Sequence, residues 1–228
     1  MIHGAVQSED EWSRKSWNDL LETYWYPLYA FCRRQGCSHP DAQDLTQAFF
    51  THLLTSRALE NVAPSKGRFR SFLLTSFRNL IANHSRSART IRRGGTHHFF
   101  SLYSDDLDAR FKSGSQCFES PELAYEREWV ATVLQRTWDK LAEDYIRAER
   151  HELFTLLAPH MMSDDKALPR LEIGERLKLS PAAIAMSIYR MRKRFGEILW
   201  NQVLFTVKDP AEAEDELKHL MAIVGRRG

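Results

Sequence analysis

The chain has 228 residues, a formal net charge of +2 and 43% hydrophobic residues, among them six Trp and thirteen Phe. That apolar content is enough for a real core, which argues against global disorder, and the length suits one large or two small domains. No apolar run is long enough to cross a bilayer, and the acidic, polar N-terminus shows no signal-peptide pattern, so no membrane insertion and a cytoplasmic location are expected.

The elements read as helices almost throughout. Ser8 and Glu11 have capping-box spacing before a first helix, on which Trp17, Leu20, Leu21, Tyr24, Leu28 and Phe31 keep helical periodicity. Pro27 is expected to kink or split it, and Gly36 to stop it. Ser38, Pro40 and Asp41 signal the start of a second helix that runs to about Leu54 and buries Ala42, Leu45, Phe49 and Leu53. A loop with Pro64 and Gly67 leads to a basic helix from about Arg68 to Arg92, ended by Gly94 and Gly95. Residues 94–120 are rich in Gly, Ser and Asp and keep no period, so they read as a linker. Ser120 and Pro121 then open a long helix to about Tyr145, and another covers Glu152–Leu157. A helix pair flanks Leu177–Ser180, and Asp209 and Pro210 start a tail helix using Leu217, Leu220 and Met221. Strand signals are weak. The expected fold is all-α: two small helical domains joined by a linker, with boundaries at 1–95, 96–120 and 121–205, and a tail at 206–228. The tail is expected to pack against the C-terminal domain.

Three constellations bear on function. Between Asn61 and Ser104 stand eight Lys/Arg and no Asp or Glu. An acid-free cationic stretch of that length points to an anionic partner such as a phosphate backbone. On its helix, Asn79, Asn83, Arg86 and Arg93 form one stripe, with Arg89 beside it. Amides can bond base edges while guanidinium groups hold phosphates. Phe69, Phe72 and Phe77 could stack on unpaired bases, although a helix-spaced Phe is more often core.

The second constellation is the pair Arg170–Leu177 and Pro181–Phe195. Ile173, Leu177, Leu179, Ile184, Ile188 and Met191 sit where a helix-turn-helix needs its core, and Ser180 caps the second helix. Arg190, Arg192, Lys193 and Arg194 give that helix a basic end suited to DNA. The plainer alternative is an αα-hairpin with a solvated end. Lys178 occupies a turn position where glycine is common, and Ala185 a position where a cation could meet DNA.

The third is the exposed face of the second helix, with Asp41, Asp44, Gln47, Ala48 and Thr51, which is either a solvated face or a docking face for a basic protein surface. The three cysteines, Cys32, Cys37 and Cys117, lack metal-like spacing and read as reduced thiols. His84, His97 and His98 have no ligand-spaced partners, so neither a metal nor a cofactor is expected.

In their order, these pieces resemble the sigma-70 family of bacterial RNA polymerase specificity subunits, in its two-domain extracytoplasmic-function (ECF) form. The resemblance spans roughly residues 17–205. It rests on YPLYAFCRRQGCSHPDAQDLTQAFFTHLL, GRFRSFLLTSFRNLIANHSRSARTIRRGG and LEIGERLKLSPAAIAMSIYRMRKRF. It implies a non-enzymatic factor whose partners are core RNA polymerase and promoter DNA, with an anti-sigma factor or other regulator as a further candidate. Asp41, Asp44 and Gln47 would bind the polymerase clamp. Arg78, Asn79, Asn83, Arg86, Arg89, Arg92 and Arg93 would capture and help melt the −10 element. Ala182, Ala185, Met186, Tyr189, Arg190 and Lys193 would read the −35 element. Asp105, Asp106 and Asp108 would belong to a connector threading toward the polymerase active site. The alternative reading is a stand-alone helix-turn-helix regulator, which would bind duplex DNA without polymerase.

Overall fold

In a computed structural model, the described residues are 11–56, 68–90, 106–113, 120–161, 167–207 and 210–225. All regular structure among them is helical, and no strand occurs. The helices are α1 (Glu11–Arg34), α2 (His39–Thr55), α3 (Phe69–Thr90), α4 (Asp106–Ser113), α5 (Pro121–Arg147), α6 (His151–Met161), α7 (Arg170–Leu177), α8 (Pro181–Phe205) and α9 (Pro210–Gly225). The chain divides into two compact units, Met1–Thr132 with Phe205–Gly228, and Val133–Leu204. These units do not follow the boundaries expected from the sequence. The start of α5 and the tail helix both fall in the first unit.

In that first unit, α1 runs unbroken through Pro27. A mid-helix proline costs about 3 kcal/mol. Here it lies in a run whose Tyr24, Tyr26, Leu28, Tyr29 and Phe31 are all buried, and that burial outweighs the lost bond. The helix ends as expected at Gly36, whose φ of +91° suits only a residue without Cβ. The Gly36 N–H donates to Arg33 O at 3.0 Å and the Cys37 N–H to Cys32 O at 3.2 Å, the paired bonds of a Schellman ending. Ser38 then caps α2, accepting from the Asp41 N–H at 3.3 Å. The expected capping residue Ser8 lies outside the described residues.

Helix α2 packs on α1 and on α3. Its buried set is Ala42, Leu45, Thr46, Phe49, Phe50 and Leu53. Phe77 of α3 enters that core, 5.1 Å from the Phe49 ring and 6.3 Å from Phe31. Phe69 is buried against Tyr24, and half-buried Phe72 stacks on Phe69. The three phenylalanines therefore serve packing rather than base stacking.

The first turn of α3 carries a buried cation. Arg70 is 5% exposed; its Nε donates to both carboxylate oxygens of Glu216, each at 3.0 Å, and Glu216 is 1% exposed. An Arg70 terminal nitrogen reaches Glu126 at 2.8 Å, and the guanidinium lies 5.3 Å over the Trp129 ring. Tyr125 donates to the Arg70 carbonyl at 3.0 Å. Burial works against the Arg70 charge, and Glu216 and Glu126 more than restore it, so its pKa stands above the usual arginine value. Glu216 belongs to α9. The tail thus packs in the first unit, where an ionic partner waits, and not against the C-terminal domain as expected. Its buried face is Ala213, Glu216, Leu220 and Ile223, whereas Met221, expected on that face, is 63% exposed.

The second unit has its own core of Leu141, Leu156, Leu157, Ile173, Ile184, Ile188, Met191 and Ile198, flanked by Trp138, Phe154 and Phe195. Helices α7 and α8 join through a short turn at Lys178–Ser180. Lys178 adopts the left-handed conformation (φ 54°, ψ 41°) that glycine would take without strain. Gly174 allows the close return. The Leu179 N–H bonds the Gly174 carbonyl at 2.8 Å, and a Cβ on Gly174 would sit 2.8 Å from the Leu179 carbonyl oxygen. Leu179, expected in the core, is 37% exposed because the turn directs it outward.

Removing one partner of the buried pair strands the other charge. Arg70→Ala is expected to destabilise the first unit by about 3–5 kcal/mol, whereas Arg70→Met combined with Glu216→Leu recovers most of that loss. Urea unfolding followed by tryptophan fluorescence tests this; a single substitution costing under about 1 kcal/mol would show the pair to be solvated.

Candidate nucleic-acid interface

With Phe69, Leu73 and Phe77 turned into the core, helical geometry turns Arg78, Asn79, Asn83 and His84 outward, and all four are exposed. The α3 backbone stays helical through Thr90, so Arg86 and Arg89 lie on the same helix at the spacing of Asn79 and Asn83. The side chains of Arg86 and Arg89, and the whole of Arg92 and Arg93, lie outside the described residues. So do His97 and His98. Among the described residues no three His, Cys, Asp or Glu come together as a metal site.

The acid-free stretch of sequence is not acid-free in space. Arg68 lies 3.4 Å from Glu216, Arg70 is buried on Glu216 and Glu126, and Arg78 lies 3.3 Å from Glu122. Arg68 and Arg70 anchor the base of α3. Arg78 is more than half exposed, and its pairing with half-exposed Glu122 is weak in water. The cationic character of α3 therefore rises from its first turn toward its C-terminal end.

On α2, Asp41 and Asp44 are exposed and Gln47 is half-buried. Asp41 is partly committed, since its carboxylate accepts from the Ser38 hydroxyl at 2.6 Å. Ala48 and Thr51 complete the face, as expected. One residue was missed. Leu54 is 50% exposed, three positions after Thr51 and seven after Gln47, so it extends the acidic face with an apolar edge. That spacing was the signal available.

Residues 106–113, part of the segment read as a linker, form α4 and dock on α1. Asp108 pairs with Arg33, and with Lys112 at 2.7 Å. Arg33 lies 4.6 Å over the Phe111 ring, and Arg110 lies 3.5 Å over Tyr26 while reaching Glu128 at 3.2 Å. Bonds from Lys112 and Arg33 hold the Asp108 carboxyl at a pKa of about 2, below its ordinary 3.8. Asp105 lies outside the described residues, as does the side chain of Asp106.

In the second unit, Ser180 caps α8, accepting from the Ala183 N–H at 3.2 Å. Ala182, Ala185, Met186, Tyr189, Arg190 and Lys193 are all exposed and share one face, with Met186 at 49% and Tyr189 at 62%. The basic end is smaller than the sequence suggests. Arg194 is held by Asp144 at 2.7 Å and Glu197 at 3.4 Å, and Arg192 donates to the His160 carbonyl at 3.1 Å. Arg190 and Lys193 make no ion pair among the described residues.

Both units thus present an exposed helix face with amide, aromatic or cationic groups. Residues 20–91, spanning most of α1 and all of α2 and α3, match the family model described as Sigma-70 region 2. The match is a likeness over about a third of the chain, and it falls on the helices that carry the exposed α2 and α3 faces. No curated protein and no solved structure matches the chain. Among the described residues, no helix is long and apolar enough to cross a membrane.

Asp108 sets a pH window. Its folded pKa lies below its ordinary value, so its stabilising effect is full above about pH 4 and is lost as pH falls toward 2. Wild type should hold α4 on α1 more firmly than Asp108→Asn above pH 4, with the difference closing toward pH 2. Hydrogen exchange over 106–113 reads this, and a difference that stayed constant with pH would count against the carboxylate.

Proposed function

We propose that this chain is a sigma factor of the ECF type, which binds core RNA polymerase, directs it to −10 and −35 promoter elements and assists opening. The observation that carries the proposal is the Sigma-70 region 2 match over residues 20–91. It falls on the helices whose outward faces carry Asp41, Asp44 and Gln47 on one side of the sequence and Asn79 and Asn83 on the other. In this reading Asp44, with Asp41, Gln47 and the apolar edge of Leu54, docks on a basic polymerase surface. Arg78, Asn79, Asn83, Arg86, Arg89, Arg92 and Arg93 take the −10 strand. Amides bond base edges, and guanidinium groups hold phosphates.

The α7–α8 pair acts as a helix-turn-helix in the −35 major groove. Ala182, Ala185, Met186 and Tyr189 face bases and the thymine methyl group, and Arg190 and Lys193 face phosphates. Holding both DNA-contacting units on one polymerase makes the second contact effectively intramolecular, so two modest affinities combine. Opening is favoured because an unstacked base gains partners on α3, offsetting a few kcal/mol per base. This chain makes or breaks no bond; polymerase supplies the chemistry. Its place of action is the cytoplasm, with core polymerase and promoter DNA as partners and a protein antagonist or other regulator as a further one.

Two substitutions separate the surfaces. Arg86→Ala with Arg89→Ala should weaken promoter complexes about tenfold or more while polymerase affinity is unchanged. Gel-filtration binding and run-off transcription measure the two effects, and lost polymerase binding in the folded variant would move those arginines off the DNA face. Asp44→Arg should do the reverse, lowering polymerase affinity by a factor of about ten through charge reversal; an unchanged affinity would remove Asp44 from the interface.

A further inference from the structure

The corner between α1 and α2 holds two cysteines in a geometry that the promoter-binding reading does not use. In the Schellman ending of α1, Cys32 is the residue whose carbonyl accepts the longer bond, and Cys37 is the residue that donates it, at 3.2 Å. That motif brings the side chains of these two positions together. Here both are thiols, on positions joined by that 3.2 Å backbone bond. Cys32 is fully buried and Cys37 half-buried, both as free thiols. Gly36 between them supplies the backbone reversal. A disulfide needs two Cβ atoms at close range, and the backbone bond of this corner holds the two positions near each other.

We propose that Cys32 and Cys37 are a redox-active dithiol that closes to an intramolecular disulfide on reaction with a peroxide. The accessible thiol reacts first. The Cys37 sulfur, as thiolate, attacks one peroxide oxygen and the O–O bond breaks. Hydrogen peroxide then leaves a sulfenic acid on Cys37 and hydroxide, which takes up the proton Cys37 gave to solvent. The Cys32 sulfur next attacks the Cys37 sulfur, the S–O bond breaks, and the hydroxyl leaves as water with the Cys32 proton. Two thiols are oxidised by two electrons, one peroxide is reduced, and two waters form. Burial, the contact with Cys37 and the nearby Asp41 carboxylate push the Cys32 thiol up, so it stays protonated and serves as the resolving partner. The bridge would close a short loop whose last residue directly precedes Ser38, the cap of α2, and so would fix the corner from which Asp41 is presented.

The test uses the full chain with Cys117→Ser, which leaves only this pair. Hydrogen peroxide should consume both thiols of each chain and give a monomer lighter by two hydrogen atoms, with one proteolytic product linking Cys32 to Cys37 that thiol reductants reverse. Adding Cys37→Ser should leave Cys32 reduced under the same treatment. In the Cys117→Ser chain, a product that stops at oxidised Cys37 with Cys32 still free, or one that forms only inter-chain dimers, would overturn the proposal. So would oxidation of Cys32 at an undiminished rate in the Cys37→Ser chain. None of these readouts depends on polymerase or promoter binding.

Discussion

A guanidinium and a carboxylate that are both almost wholly removed from water hold three distant segments of this chain together. Arg70 begins α3, Glu126 lies in α5, and Glu216 lies in the tail helix α9. An isolated buried charge is expensive, and a pair is stable only when its remaining donors and lone pairs are also satisfied. Here two bonds to Glu216, one to Glu126 and the face of Trp129 meet that condition. Such an arrangement tolerates few alternative registers. It fixes the rotation of α3 about its axis, and that rotation decides that Asn79 and Asn83 face outward while Leu73 and Phe77 face inward.

This interaction also explains where the sequence could be read and where it could not. Helices bound by periodicity and caps were legible: Ser38 before α2, Gly36 after α1, Ser180 before α8. Hydrophobic period worked for α2, where burial alone selects the face. It held only in part for α9, where Leu220 is buried and Leu217 half-buried but Met221 is exposed and a glutamate, Glu216, takes a buried position. Reading Leu217 and Met221 as core turns the helix away from the face that Arg70 selects. The same pairing lies behind the apparent single-signed charge of residues 61–104, since the acids that answer Arg68, Arg70 and Arg78 come from segments far along the chain. Helix α4 was illegible for a related reason. Of its eight residues, Leu107 is buried, and the rest of its hold is ion pairs and cation–π contacts with α1, which leave no periodic trace.

The candidate surfaces show a similar division between legible position and illegible environment. Every described residue expected on the α8 face is exposed, because Ile184, Ile188 and Met191 turn the opposite side into the core. Which cations remain available was not legible. Arg192 and Arg194 are engaged by His160 and by Asp144, residues of other helices. Of the four basic residues, Arg194 is the one paired with carboxylates, and Arg190, Arg192 and Lys193 remain exposed cations.

That reduction bears on how the proposed DNA reading must work. Each phosphate neutralised contributes about 0.9 to the slope of affinity with salt, so a helix with few exposed cations among its described residues holds duplex DNA weakly and gives up little of that hold as salt rises. Tyr189, Met186 and the two alanines add apolar contact and base reading but little long-range attraction. On α3 the exposed groups near its middle include the amides of Asn79 and Asn83 beside Arg78. In the proposed reading, promoter selectivity arises when something larger holds both faces on one duplex, so that two modest contacts multiply. In that same reading the acidic α2 face with its Leu54 edge makes the attachment: carboxylates supply steering toward a basic partner, and an exposed leucine supplies burial once the surfaces meet.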